Sequence, residues 1–183
     1  MEFFWYFVIY SFFGYLLERL FAVLTHSPQQ VRKCFLLSPL CPVYGLAMTA
    51  ILLLGGGEIA GFWGRWLFCA VIATAVEYLV HFFYEAVFAV QFWDYSDTKL
   101  DWNGRVCLPF SIAWGFLASF ALALLQPTLT LFVQKLSAPF TLSCVFFLCI
   151  DAIYTARVLF LSHDVELLGY KALFVRGRIE TEE

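Results

Sequence analysis

Five long apolar runs dominate this sequence and leave few folds open to it. They cover about residues 3–24, 39–56, 64–90, 109–131 and 138–161. A helix of roughly 20 apolar residues spans the hydrocarbon of a bilayer. A soluble chain of 183 residues, 62% hydrophobic and only 14% charged, would have too little interior to hide that surface. Lipid must cover it. In lipid the backbone has to satisfy its own hydrogen bonds, which leaves helices or a closed barrel. The runs are too long and unbroken for the alternating strands of a barrel. The expected fold is therefore all-α, a polytopic membrane bundle of five transmembrane helices.

Two breaks interrupt the runs. Gly55-Gly56-Gly57 ends the second helix, and Gln126-Pro127 kinks or ends the fourth. Residues 91–108 form a polar loop rich in Trp and Tyr, which suits the membrane interface. The start, Met1-Glu2-Phe3-Phe4-Trp5, lacks the positive region of a signal peptide, so the first run is expected to stay as a helix. Residues 1–161 then make the transmembrane domain and residues 162–183 a cytoplasmic tail. Lys and Arg in the loops set orientation. With the N-terminus outside, Arg32, Lys33, Lys99, Arg105, Lys171, Arg176 and Arg178 are cytoplasmic, and only Arg65 and Lys135 are external. The expectation is a multi-pass protein of the cell membrane, N-terminus outside and C-terminus inside.

The chain also resembles itself. Glu18-Arg19-Leu20-Phe21-Ala22-Val23 parallels Glu85-Ala86-Val87-Phe88-Ala89-Val90. After each comes a loop and a helix opened by proline: Pro39 leads to Tyr44-Gly45, and Pro109 to Trp114-Gly115. This predicts two parallel hairpins, about 3–57 and 64–131, plus a fifth helix at 138–161, with Glu18 matching Glu85. Chance similarity between apolar segments is the competing explanation.

Charges inside the membrane cost at least about 2.5 kcal/mol each and so mark function or pairing. Glu77 and Asp151 fall near the middles of their helices; Glu18, Arg19, His81, Glu85 and Arg157 fall nearer the cytoplasmic ends. Glu77, His81 and Glu85 are spaced by four and share a helix face, as a proton relay or metal site would need. The competing explanation is a structural network, with Glu77 paired to His81 and Glu85 snorkelling to the cytoplasmic surface. Asp151, Tyr154 and Arg157 share another face, with Arg19 a candidate partner for Asp151. The cysteines form no CxxC, and those at 34, 41 and 107 are expected on the reducing side as small packing residues. No P-loop, HExxH or GxSxG occurs, and no nucleic-acid module. The sequence motifs identify no particular cofactor, and any ATP hydrolysis must come from another subunit.

Residues 38–45 read Ser-Pro-Leu-Cys-Pro-Val-Tyr-Gly, and residues 93–107 run from Trp-Asp-Tyr-Ser to Asn-Gly-Arg-Val-Cys. On these motifs the chain resembles the Putative ABC-transporter type IV (CmpB-like) family of small, polytopic bacterial membrane proteins, from Phe12 to about Phe160. The family pattern carries over onto Glu18, Pro39, Cys41, Pro42, Tyr44, Gly45, Glu77, Trp93, Asp94, Tyr95, Ser96, Asn103, Gly104, Arg105 and Cys107. Val80 and His81 stand where that pattern has Gly-Trp. The resemblance implies a transport role.

The expected function is a permease-like component that binds or moves a small polar solute through a pocket in the cytoplasmic half of the bilayer. The excess of Glu18, Glu77, Glu85 and Asp151 over buried bases suits a cationic solute or proton coupling. Site residues are expected among these acids, Arg157, and Trp93, Asp94, Tyr95, Asn103 and Arg105 of the loop. Five helices make a thin wall, so a homodimer or a separate ATPase subunit is expected. The alternative is an intramembrane enzyme acting on a lipid or prenyl substrate, with Asp94, Asn103 and Arg105 on the head group and Glu77 or Glu85 as base. A third reading is an assembly factor whose polar band only fixes helix packing.

Overall fold

The computed structural model of the protein describes residues 1–25 and 34–168. The expectations for Arg32, Lys33, Lys171, Arg176 and Arg178, and for the tail beyond 168, fall outside the described residues.

Four helical rods are long and apolar enough to cross a membrane. They are α1 (Glu2–Leu24), α3 (Phe62–Phe88), a compound rod over Leu108–Val133, and α6 (Ala138–Ser162). At 1.5 Å per residue each reaches about 35–40 Å. The compound rod joins α4 (Leu108–Phe120) to α5 (Gln126–Val133) through a π turn at Ala121–Leu125. Pro127 has no N–H, and its ring crowds the preceding turn. The widened turn absorbs both faults, so the helix continues through Gln126-Pro127.

The fifth element, α2 (Pro42–Leu53), has only 12 residues, about 18 Å of helix and less than the expected 39–56. Pro42 sits at its first turn, where a missing N–H costs nothing. Gly55, at φ 82°, terminates the other end. The first three residues of the expected span belong instead to a non-helical entry over residues 34–41. Cys34, Leu36, Leu40 and Cys41 are all buried there. Backbone at that depth needs internal partners. Asp151, near the middle of α6, supplies two: Leu37 N–H donates to Oδ1 (2.9 Å) and Ser38 N–H to Oδ2 (2.8 Å). Cys41 N–H donates to the Ser11 carbonyl of α1 (2.9 Å).

The rods form a ring. α1 packs on α2, α2 on α3 and α3 on α4. α1 closes the ring on α5, where the Tyr6 hydroxyl donates to Thr130 Oγ1 (3.2 Å) and the Tyr10 hydroxyl to Gln126 Oε1 (2.9 Å). α6 lies across the ring. Its first turns hold Trp5, whose Nε1 donates to Thr141 Oγ1 (2.9 Å) and whose ring stacks on Phe140. Its last turn meets the end of α3, where His163 Nδ1 donates to the Phe88 carbonyl (2.7 Å). Large apolar side chains such as Leu79, Phe83, Phe147 and Ile153 point outward, as lipid requires.

Glycine sets the approach within each hairpin. A Cβ on Gly45 would strike the Phe7 carbonyl and the Ser11 hydroxyl of α1. A Cβ on Gly115 would lie 2.7 Å from Ala70 Cβ and 3.0 Å from the Trp66 carbonyl of α3. In both hairpins the second helix therefore lies backbone to backbone on the first.

Candidate functional site

Toward the end of the ring where α1 and α3 finish, α1 and α4 part around a cavity of about 420 Å³. Four helices and one loop build it. Glu18 comes from α1, Tyr44 from α2, Glu77 from α3, Trp114 from α4, and Trp93 and Tyr95 from the loop between α3 and α4. Glu77 is 7% exposed, whereas Glu18 is half-buried.

Each acid is met by aromatic donors. The Tyr44 hydroxyl donates to Glu18 Oε1 (2.8 Å). The Tyr95 hydroxyl donates to Glu77 Oε1 (3.0 Å), and Trp114 Nε1 donates to Glu77 Oε2 (3.2 Å). The Tyr44 and Trp114 rings meet edge to face, 5.4 Å between centroids, and join the two acid clusters. Burial, with Glu77 beside it, pushes the Tyr95 hydroxyl pKa far up, so that group stays a donor. Among the described residues, no Lys, Arg or His lines the cavity.

The loop that delivers Tyr95 is shaped by its own sequence. Asn103 and Gly104, at φ 55° and 67°, make the tight turn between β1 (Asp101–Trp102) and β2 (Val106–Cys107). Adjacent positive φ values favour Asn-Gly in such turns. A Cβ on Gly104 would also stand 2.7 Å from Asp94 Oδ1. Asp94 Oδ1 accepts from the Ser96 N–H (2.9 Å) and the Ser96 hydroxyl, which hold its carboxyl below the ordinary aspartate range. Tyr95 N–H donates to the Gly104 carbonyl (2.8 Å), and Trp93 Nε1 donates to the Arg105 carbonyl (3.0 Å). The Trp-Asp-Tyr-Ser and Asn-Gly-Arg segments thus brace each other, and Tyr95 reaches Glu77.

The expected site residues divide into three groups. Glu18, Glu77, Trp93 and Tyr95 line the cavity. Glu85, Asn103 and Arg105 form a separate cluster on Tyr78. Arg105 Nη2 lies 2.7 Å from Glu85 Oε2, Arg105 Nη1 donates to the Tyr78 hydroxyl (2.8 Å), and Asn103 Nδ2 donates to the same oxygen (3.3 Å). That ion pair holds the Arg105 guanidinium above its usual pKa. Asp94 and Asp151 act on backbone, turning the loop and capping the 37–38 segment; Arg157 does not line the cavity. Asp151 is therefore committed to those N–H groups in place of the suggested Arg19. His81 also differs from the reading that paired it with Glu77. Its Nε2 donates to the Trp93 carbonyl (3.0 Å), while Glu77 turns to Tyr95 and Trp114. The equal spacing of Glu77, His81 and Glu85 along α3 does not bring the three onto one point, and no group of three metal-ligating side chains occurs among the described residues. Tyr44 and Trp114 were absent from the expected site, although their matching places in the two hairpins were visible in the sequence.

The family model described as Putative ABC-transporter type IV matches residues 5–156, which include every residue that lines the cavity. The chain belongs to this family. It is a multi-pass membrane protein and a member of a transporter family. No curated protein and no solved structure matched it. In this member of the Putative ABC-transporter type IV family, the two motifs that carry the resemblance meet at one place. Residues 38–45 bring Tyr44 to Glu18, and residues 93–107 bring Tyr95 to Glu77.

Proposed function

We propose that the protein is the membrane-embedded part of a transporter and captures a small cationic solute in the cavity between Glu18 and Glu77. The observation that carries this reading is the charge of the cavity: two carboxylates line it, and no basic side chain among the described residues does. A carboxylate in a low-dielectric wall recruits a proton or a cation. The hydrogen bonds from Tyr44, Tyr95 and Trp114 aim the carboxylates and leave lone pairs for a guest.

In this proposal the loop face, with residues 34–41 and 89–107, is cytoplasmic and the N-terminus is outside, following the distribution of Lys and Arg. Energy comes from a separate ATPase subunit, since the chain has no phosphate-binding loop. The lipid-enzyme alternative needs Arg105 available for a head group, yet its guanidinium is engaged by Glu85 and Tyr78.

The test is thermal unfolding of the purified protein against a panel of small cations, anions and neutral solutes. We predict stabilisation by cations alone, and its loss in Glu77→Gln, which keeps shape and hydrogen bonding without the charge. Equal stabilisation by anions, or unchanged cation binding in Glu77→Gln, would remove the reading.

A further inference from the structure

The contacts between helices assign a repeat that differs from the one read along the sequence. A step of 59 residues takes Phe7 to Trp66 and Ser11 to Ala70, the residues on which Gly45 and Gly115 respectively rest. A step of 70 takes Gly45 to Gly115 and Tyr44 to Trp114. The same step of 59 takes Glu18 to Glu77, and Tyr44 and Trp114 are the donors on those two acids. The sequence alignment placed Glu85, eight residues further along α3, opposite Glu18. Eight residues are about two helical turns, so that alignment matches a residue outside the cavity. The ring agrees with the contact-based register. Exchanging the hairpins carries the α2–α3 contact onto the contact between the α4–α5 rod and α1. Glu18 with Tyr44, and Glu77 with Trp114, are two copies of one acid–aromatic unit facing a shared space.

We propose that this duplicated unit binds an organic ammonium ion, its charged head between Glu18 and Glu77 and its apolar body along the helices. This rests on the cationic-solute reading above and names the class of cation. Three features of the cavity select it. Its volume, about 420 Å³, is in the range of small-molecule pockets and far exceeds a bare ion. Rings of Tyr44, Trp93, Tyr95 and Trp114 line it around the acids, and aromatic faces attract organic cations. The rest of the wall is apolar, with Leu17, Met48, Ile51 and Leu117 among its residues. A hard metal ion needs about six or more oxygen ligands. Here the nearest groups besides the two carboxylates are an indole N–H and hydroxyls already donating. The ammonium could belong to a free amine or to an amino-lipid head group entering between α1 and α4.

The experiment uses the full-length protein in nanodiscs of phosphatidylglycerol, with binding read by calorimetry. The probes are phenethylammonium, the neutral 2-phenylethanol, potassium and magnesium. We expect phenethylammonium to bind, the alcohol to bind at least about tenfold more weakly, and neither inorganic ion to compete. Glu18→Gln and Glu77→Gln should each weaken the ammonium about tenfold or more, the loss expected for a charged hydrogen bond. Tyr44→Phe and Trp114→Phe, which leave the backbone contacts intact, should each weaken it by a smaller, similar factor and serve if either glutamine variant fails to fold. Nanodiscs that include phosphatidylethanolamine separate the two sources. Competition with the probe there assigns the site to a lipid head group, and its absence to a free amine. Potassium or magnesium displacing the probe would overturn the organic class while leaving a cation site in place. Equal binding of alcohol and ammonium would overturn this proposal and the cationic reading together. An effect of Glu77→Gln without one of Glu18→Gln would overturn the duplicated site alone.

Discussion

Asp151 offers a sharp test of whether a buried acid serves the solute or the fold. Its two oxygens accept from the Leu37 and Ser38 N–H groups at 2.9 and 2.8 Å, and Thr155 Oγ1 also donates to Oδ1 at 3.3 Å. Hydrogen bonds to a charged group are each worth about 1.5–3 kcal/mol. Removing the carboxylate also relieves its own desolvation, so we predict that Asp151→Ala costs about 2–4 kcal/mol net. Asp151→Asn keeps one carbonyl oxygen for one of the N–H groups and should cost about half as much. Thermal unfolding in detergent, followed by tryptophan fluorescence, should rank wild type above Asn above Ala. Ammonium binding by whatever remains folded should be little changed, because Asp151 does not line the cavity. An Ala variant that unfolds at the wild-type temperature but no longer binds solute would refute the capping argument and return Asp151 to the site.

Three further outcomes follow from the loop. Gly104→Ala forces a side chain onto φ 67° and against Asp94 Oδ1, and should destabilise the loop by about 1–2 kcal/mol, read as faster amide exchange at Tyr95. The Asp94 carboxyl has a depressed pKa from Ser96, so its contribution is present above the ordinary aspartate pKa near about 4 and is lost as pH falls through the lower folded value; amide exchange at Ser96 should rise in that acid window and stay flat at neutral pH. For orientation, the native cysteines at 34, 41 and 107 are buried, so an impermeant thiol reagent is better aimed at Lys99→Cys on the exposed loop. Labelling only after cell lysis is the expected result, and labelling of intact cells would reverse the topology.

Apolar runs made the helices legible because lipid allows few alternatives: α1, α3 and α6 lie within about two residues of the expected spans at either end. The second helix was less legible. The span expected at 39–56 is helical only over Pro42–Leu53, because an apolar composition does not reveal that residues 39–41 belong to the bent, non-helical segment that Asp151 supports at 37 and 38. The π turn was hidden in the same way, since Pro127 signals a fault without saying how the chain absorbs it. At the site, the cost of burying charge pointed to Glu18 and Glu77, and the Trp and Tyr of the loop were within reach of motif reading. Regular spacing told only part of the story. Glu85 lies 4.0 Å from His81 Nδ1, as the i,i+4 spacing allows, but its nearer partner is Arg105 at 2.7 Å, because a loop with no helical period supplies it.

The support that Asp151 gives to residues 37 and 38 also orders the protein's biogenesis. α2 is too short to span a bilayer unaided, and its bent, non-helical lead-in cannot rest in lipid with its amides exposed. The carboxylate that completes it sits 113 residues or more further along the chain, in the last long apolar helix among the described residues. During synthesis the first hairpin must wait, half inserted or held by the insertion machinery, until α6 arrives. A nascent chain stopped before residue 151 would therefore present an unfinished first hairpin to membrane quality control, even with α1 and α2 both fully translated.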